Sequence, residues 1–316
     1  MKAWQFTTTH EPLVLTEVPE PRARPGEVVV DVRAAGLCHT DVGVLEDEGW
    51  LSTLVRTPIT MGHEVAGVVS AVGEGVTEFS TGDRVGICPT TPLGAPGFNY
   101  DGGFGEQVVV GTDALVRIPA NVSFALGAAG TDAGMTSHHA VIANGQVTAG
   151  TRVGIIGLGG LGQIGARVAV LAGAEVYAAE VNEKVWPLAR EIGAKDVKPS
   201  IAAFKDVGLD VVVDFAGFGT TTAEAIETVR TGGRVVQVGM GRLEATISTK
   251  ALILSQVTLI GSNGGTKEDV QGVYDHFASG QLAPAVTEIG FDEIPEGLER
   301  LARGEVVGRL VAVLGE

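Results

Sequence analysis

The chain has 316 residues, 45% of them hydrophobic but only 5% aromatic, which is enough for two domains with mainly aliphatic cores. Its formal net charge of −16 argues against a nucleic acid as partner, and two cysteines cannot form a disulfide framework at this size. The first residues lack the pattern of a secretory signal and no apolar run is long enough to cross a membrane, so we expect a cytoplasmic protein with no membrane partner.

The first third of the chain predicts a strand-rich domain. Short valine-rich runs, GEVVVDVRAAG, HEVAGVVSAVG and GDRVGICP, are separated by turns of Gly, Pro and Asp. This pattern is typical of a small barrel-like antiparallel domain.

The middle of the chain predicts a parallel sheet. TRVGIIGLGGLGQIGARVAVLAGAEVYAAE runs strand, glycine turn, helix, strand, and VTLIGSNGG adds a later strand. Such alternation indicates β-α-β units. The tail begins with a predicted helix, TKEDVQGVYDHFASG, and ends with RLVAVLG, a strand that returns to the first domain. We therefore predict a discontinuous domain of residues 1–133 and 265–316, and a second domain of residues 134–264.

A glycine motif predicts the cofactor. In VGIIGLGGLG, the G-x-G-x-x-G glycines are Gly157, Gly159 and Gly162, between a strand and a helix. They allow a tight turn, the approach of a pyrophosphate and close packing of the helix. We expect Gly160 and Leu161 to line the same turn. Glu180 ends the next strand, where a carboxylate accepts from the adenosine ribose and favours NAD(H); a solvated strand-end glutamate is the alternative.

Four motifs carry a family resemblance. The spacing GHE-x2-G-x5-G-x2-V, from Gly62 to Val76, resembles the zinc signature of the medium-chain dehydrogenase/reductase family, specifically the zinc alcohol dehydrogenases. GLCHTD resembles that family's first zinc-ligand turn, DGGFGE its re-entry into the barrel and GLGGLG its cofactor turn. The resemblance covers essentially the whole chain. It implies an α/β two-domain fold, with a GroES-like β-barrel-type catalytic domain and a doubly wound Rossmann domain.

The resemblance also implies a zinc site. Cys38 and His63 would be ligands, and Asp132, within GTDAGMT, occupies the place where relatives carry a third ligand in a turn. Glu64 would be an exchangeable ligand or an outer group. Taken singly, Cys38 could be a core residue, His63 a hydrogen bonder and Asp132 a helix N-cap. Relatives with a second, structural zinc carry four cysteines before DGGF, whereas this chain has only Cys88 there, so we expect one zinc per chain.

Other site residues follow from the same resemblance. Thr40 matches a proton-relay hydroxyl and Asp41 the carboxylate that orients His63. The next relay position, a histidine in many relatives, is Gly43. The expected cofactor contacts outside the glycine turn are His39, Thr136, Gly239, Ser262, Asn263 and Arg309.

Together these features predict hydride transfer between NAD(H) and an alcohol or ketone. Trp50 and Leu51 are candidate residues of the substrate pocket wall. The sequence beside them has no cluster of basic residues that would bind a phosphate group of a substrate, so we expect small to medium secondary alcohols and ketones. The alternatives are a polyol or sugar dehydrogenase, a zinc-free enoyl or quinone reductase, and a non-catalytic nucleotide-binding protein. VTLIGSNGG is a candidate edge strand for a homodimer, with a tetramer as the alternative.

Overall fold

The computed structural model describes residues 1–315. The strands, in chain order, are β1 (Lys2–Phe6), β2 (Val14–Glu17), β3 (Glu27–Leu37), β4 (Ile59–Thr60), β5 (Glu64–Val72), β6 (Arg84–Ile87), β7 (Gln107–Gly111), β8 (Leu115–Arg117), β9 (Arg152–Ile156), β10 (Glu175–Ala179), β11 (Asp196–Lys198), β12 (Val211–Asp214), β13 (Arg234–Gln237), β14 (Thr258–Gly261), β15 (Val286–Gly290) and β16 (Arg309–Val313).

The α-helices are α1 (His39–Glu46), α2 (Phe124–Ala129), α3 (Met135–His138), α4 (Gly162–Leu171), α5 (Trp186–Ile192), α6 (Thr220–Thr228), α7 (Thr249–Leu254), α8 (Lys267–Ala278) and α9 (Ile294–Ala302). The shorter 3₁₀ segments are Glu48–Thr53, Thr112–Ala114, Glu183–Val185, Ile201–Val207 and Phe291–Glu293, and the π segments are Gly130–Gly134 and His139–Asn144. Within the described residues, none of these helices is both long and apolar enough to span a membrane.

The first compact unit comprises Met1–Asp132, Thr266–Gly280 and Ala285–Glu316. A seven-stranded sheet runs β15-β16-β3-β5-β6-β8, with β7 also paired to β3, and β2-β1-β4 form a smaller sheet. All pairs are antiparallel except β15 with β16. Valines of β3 and β5 fill the core, because alternate side chains of each strand point inward.

The second unit comprises Ala133–Gly265 and Gln281–Pro284. Its six parallel strands have the order β11-β10-β9-β12-β13-β14. The order reverses between β9 and β12, and ligands of such sheets bind beyond the carboxyl ends of the strands at that point. The predicted fold class, a GroES-like domain with a Rossmann domain, is confirmed.

Several predicted elements match the structure. The helix expected in the tail is α8, the final strand is β16 and pairs with β3, and β14 lies at the edge of the parallel sheet. The segment around Asp132 differs, because we expected a turn and the structure has a π-helical segment, Gly130–Gly134. Gly130 and Gly134 adopt right-handed helical angles there, and the flanking Ala and Met residues favour helix, so the chain does not turn.

Candidate functional site

The ends of three neighbouring strands create the site in the first unit. β3 lies between β5 and β16, with Gly36 opposite Glu64 and Leu37 opposite Leu310. The next residues along these strands are therefore also neighbours: Cys38 follows β3, His63 precedes β5 and Arg309 begins β16.

Four side chains converge at this point. Cys38, His63, Glu64 and Asp132 each offer one ligand atom, and these atoms lie within 4.8 Å of one another. Asp132 Oδ2 is 3.5 Å from His63 Nε2 and 3.9 Å from Cys38 Sγ. Ligands of a tetrahedral zinc at ordinary bond lengths lie about 3.3–3.8 Å apart. The thiol, imidazole and carboxylate thus fit a zinc ion in both chemistry and spacing.

Asp41 connects two of these groups. One oxygen of its fully buried carboxylate accepts from the backbone N–H of Cys38 at 2.9 Å, and the other lies 3.2 Å from His63 Nδ1. With Nδ1 donating to Asp41, Nε2 is the nitrogen left to bind a metal.

Glu64 and Arg309 form a buried ion pair behind the ligands. Arg309 Nε donates to Glu64 Oε2 at 2.9 Å and Arg309 Nη2 contacts the other carboxylate oxygen; the two side chains are 3% and 0% exposed. Gly36 makes room for this pair, because a Cβ there would overlap the Glu64 carboxylate. The Glu64 carboxylate would have to leave Arg309 to coordinate a metal. This favours a place for Glu64 outside the group of direct ligands.

The ionisation of the site reflects this charge pattern. Burial acts to raise the pKa of the Cys38 thiol, but the positive charge of Arg309 and a hydrogen bond with His63 outweigh it and lower that pKa. Burial acts to lower the pKa of His63, yet the Asp41 carboxylate and a hydrogen bond with Asp132 raise it well above its usual value. The site therefore favours a thiolate at Cys38, and a metal must displace the proton on His63.

Helix α1 carries the predicted proton relay. Thr40 Oγ1 lies 3.5 Å from Cys38 Sγ, and His39, the first residue of the helix, is exposed. At Gly43 a Cβ would lie 2.8 Å from Nε1 of Trp50. The Trp50 indole thus covers the place where the next relay side chain would begin.

Phe98 is a site residue that the sequence analysis missed. Its ring meets the edge of the His63 ring, with centroids 5.5 Å apart and planes at 66°. It belongs to the Pro/Gly loop that also contains Cys88, which is buried. The sequence did offer one signal for Phe98: it is a phenylalanine within a Pro/Gly loop, in a chain of which only 5% of the residues are aromatic.

The cofactor motif lies at the carboxyl end of β9 in the second unit. Gly157 has φ +81°, a Cβ at Gly159 would meet nothing within 4 Å, and a Cβ at Gly162 would overlap the carbonyl oxygen of Gly157. Each glycine therefore has the role that the motif predicts: a left-handed turn, an open approach and close packing at the start of α4. This cradle fits a pyrophosphate.

Glu180 also lies at this edge. Its carboxylate accepts from the backbone N–H of Leu158 and of Asn182, each at 2.8 Å. These bonds hold the carboxylate beside the glycine turn, with further lone pairs available to a ribose hydroxyl. Ser137, which the sequence analysis missed, donates to the carbonyl of Leu161 at 2.9 Å and ties α3 to the turn.

Four further predicted cofactor residues lie in the second unit, whereas His39 and Arg309 lie in the first. Thr136 is buried on α3, and Ser262, just after β14, accepts from Asn144 Nδ2 at 2.9 Å. Gly239 follows β13, where a Cβ would crowd Phe215 and Ala216. Asn263 is exposed. Contacts of these residues with a cofactor stay predictions.

Comparisons with known proteins match both units. A model described as "Alcohol dehydrogenase GroES-like domain" matches residues 24–120, and one described as "Zinc-binding dehydrogenase" matches residues 160–279. An alcohol dehydrogenase of Geobacillus stearothermophilus is 32% identical, over 98% of this chain and 99% of that protein.

Two solved structures are similar throughout. The alcohol dehydrogenase of Aeropyrum pernix has a TM-score of 0.91 at 30% identity, over 99% of this chain and 100% of that one. The acetophenone reductase of Geotrichum candidum, solved with NAD, has a TM-score of 0.91 at 29% identity, over 99% and 97% of the two chains.

Proposed function

The chain belongs to the zinc alcohol dehydrogenases of the medium-chain dehydrogenase/reductase family, and from that premise we propose that it transfers hydride between NAD(H) and secondary alcohols or ketones. The observation that carries this function is the convergence of Cys38, His63 and Asp132 on one point. A zinc-free reductase or a non-catalytic nucleotide-binding protein has no use for such a donor set.

Each unit supports one half of the reaction. The four candidate ligands lie within the first unit, and the glycine turn with Glu180 lies within the second. We accordingly assign catalysis to residues 1–133 and 265–316, and cofactor binding to residues 134–264. When bound, zinc supplies a Lewis acid for the substrate oxygen, and NAD(H) accepts or supplies the hydride.

The chain's own residues hold the metal and move the proton. Cys38, His63 and Asp132 would hold the zinc, while Asp41 fixes the His63 ring. We assign Thr40 the first proton transfer, because a hydroxyl can accept a proton from the substrate and donate another. The Trp50 indole N–H over Gly43 is a donor only, so it cannot pass that proton on. Water then completes the outer relay.

The substrate class is part of this proposal. Trp50 and Leu51 follow α1 closely, and the Trp50 indole lies over Gly43 of that helix. We propose small to medium, mostly apolar ketones. A screen of NADH oxidation should give turnover with acetophenone, the ketone named for one similar protein, and with aliphatic and cyclic ketones. Activity confined to polyols and sugars would contradict this substrate class and favour a polyol or sugar dehydrogenase.

We also propose one zinc per chain and a cytoplasmic location. Cys88 is the only cysteine besides Cys38, and one thiol cannot build a four-thiolate site. A reducing compartment keeps Cys38 available as a ligand.

Replacing Glu180 by serine is expected to weaken NADH binding. The ribose would lose charge-assisted hydrogen bonds to the carboxylate, which are worth about 1.5–3 kcal/mol, or about 10- to 150-fold in affinity. NADPH should be affected less, because the repulsion of its 2′-phosphate is also removed. Fluorescence titration of both cofactors measures the change. Glu183→Ser, at an exposed position nearby, is the matched control, and unchanged NADH affinity in Glu180→Ser would remove this assignment.

A homodimer is expected through the free edge of β14. Leu259 on that strand is 39% exposed, and Ile253 and Leu254 of the preceding α7 are 68% and 69% exposed. A free, apolar edge strand can pair with its copy about a two-fold axis. Sedimentation should give a dimer for the parent and a monomer for Leu259→Lys. If the parent is a tetramer instead, Leu259→Lys should give a smaller species. Val14→Lys, on the exposed edge strand β2, should change nothing; a Leu259→Lys protein that assembles like the parent would contradict this interface.

A further inference from the structure

The segment that carries Asp132 has an unusual helical register. α2 ends at Ala129 and a π-helical turn, Gly130–Gly134, follows directly, with Asp132 at its centre. A change from i→i+4 to i→i+5 bonding widens the helix and shifts backbone carbonyls away from their ordinary donors. Such turns need local support, because a regular α-helix has better packing and hydrogen bonds.

Side-chain hydroxyls supply donors at this junction. Thr131 Oγ1 donates to the carbonyl of Ala128 at 2.7 Å, and the hydroxyl of Tyr274 donates to the carbonyl of Gly127 at 2.8 Å. Thr131 is local, but Tyr274 lies on α8, 147 residues further along the chain. It is the largest fully buried side chain among the described residues, so it has no access to water as an alternative partner.

The Tyr274 ring also abuts the backbone of the π turn. A Cβ at Gly130, the first residue of the turn, would come within 2.6 Å of the ring, and a Cβ at Gly86 on β6 would overlap its hydroxyl. The two glycines thus form a slot that the tyrosine fills. α8 belongs to the same compact unit as the candidate ligands and as residues 130–132 of the turn, so this contact holds that part of the turn within the unit.

We propose that Tyr274 is a positioning residue for the metal centre. By holding Gly127 and Gly130 it keeps the π register that places Asp132 Oδ2 3.5 Å from His63 Nε2 and 3.9 Å from Cys38 Sγ. A regular α-helical register would rotate position 132 by a fraction of a turn and move the carboxylate away from the other two ligands. This inference rests on the proposed zinc site.

The test is zinc transfer from the purified holoprotein to a chromophoric chelator. Tyr274→Phe keeps the ring and deletes only the hydroxyl; we expect a zinc affinity about 10-fold lower, the lower end of the range for groups that support a ligand. Gly130→Ala places a methyl group against the Tyr274 ring and so disturbs the same contact; it should also lower the zinc affinity. Cobalt substitution gives a second readout, because a displaced carboxylate changes the visible spectrum of the bound ion.

Val273→Ala is the matched control, since it truncates a buried neighbour on the same helix. It should lower the unfolding temperature but leave zinc affinity and the cobalt spectrum unchanged. Parental zinc affinity in Tyr274→Phe and Gly130→Ala, with weakened binding in Asp132→Ala, would overturn this inference and leave the proposed function intact. A parent protein that binds no zinc would overturn both.

Discussion

Cys38→Ser is expected to lower zinc affinity by at least about 100-fold and to reduce turnover to background. Replacing groups that merely orient a ligand costs 10- to 100-fold in affinity, so losing the thiolate itself must cost at least as much. The buried environment adds to the effect, because Arg309 and His63, which lower the pKa of Cys38, would face a serine that stays neutral. Chelator competition and the rate of NADH oxidation measure the two losses.

The chain contains a matched control for this substitution. Cys88 is the other cysteine and is also buried, and Cys88→Ser makes the same atomic change at a residue that is not among the four candidate ligands. It should retain zinc and activity. Loss of zinc from Cys88→Ser together with retention in Cys38→Ser would assign the metal to the loop that contains Cys88.

Arg309→Met is expected to destabilise the first unit by about 3–5 kcal/mol. The substitution leaves the fully buried Glu64 carboxylate without its cation, and an uncompensated buried charge costs this much. Urea unfolding followed by tryptophan fluorescence reports mainly on this unit, because Trp4 and Trp50 lie in it and Trp186 alone lies in the other.

The double variant Arg309→Met/Glu64→Gln separates charge from packing. It removes both members of the pair, so we expect it to recover much of the stability that Arg309→Met loses. A single variant as stable as the parent would contradict the buried ion pair. A double variant no more stable than the single one would assign the loss to packing of the arginine side chain.

The sequence predicts much of the candidate metal site because the proposed ligands belong to short motifs. Cys38 and Asp41 lie in GLCHTD, His63 and Glu64 in MGHEV, and the structure brings them to adjacent strand ends. The glycine turn is predictable for the same reason, since Gly157, Gly159 and Gly162 have roles that depend on local geometry.

The groups that support these motifs are not predictable in this way. Phe98 lies 35 residues from His63 along the chain, and Tyr274 more than 140 residues from Asp132. The position of Phe98 in a Pro/Gly loop is a weak signal, and no motif surrounds Tyr274. Their roles depend on packing: an aromatic edge against His63, and a slot left by Gly86 and Gly130. The π register around Asp132 escapes prediction too, because part of its support is a hydrogen bond from α8, which local propensity does not reveal.

The most direct test of the metal site is anomalous X-ray diffraction at the zinc edge from crystals of the purified protein. We expect one peak per chain, about 2.0–2.3 Å from Cys38 Sγ, His63 Nε2 and a carboxylate oxygen of Asp132. A zinc peak elsewhere in the chain, or no peak at these three side chains in protein that oxidises NADH with ketones, would contradict it.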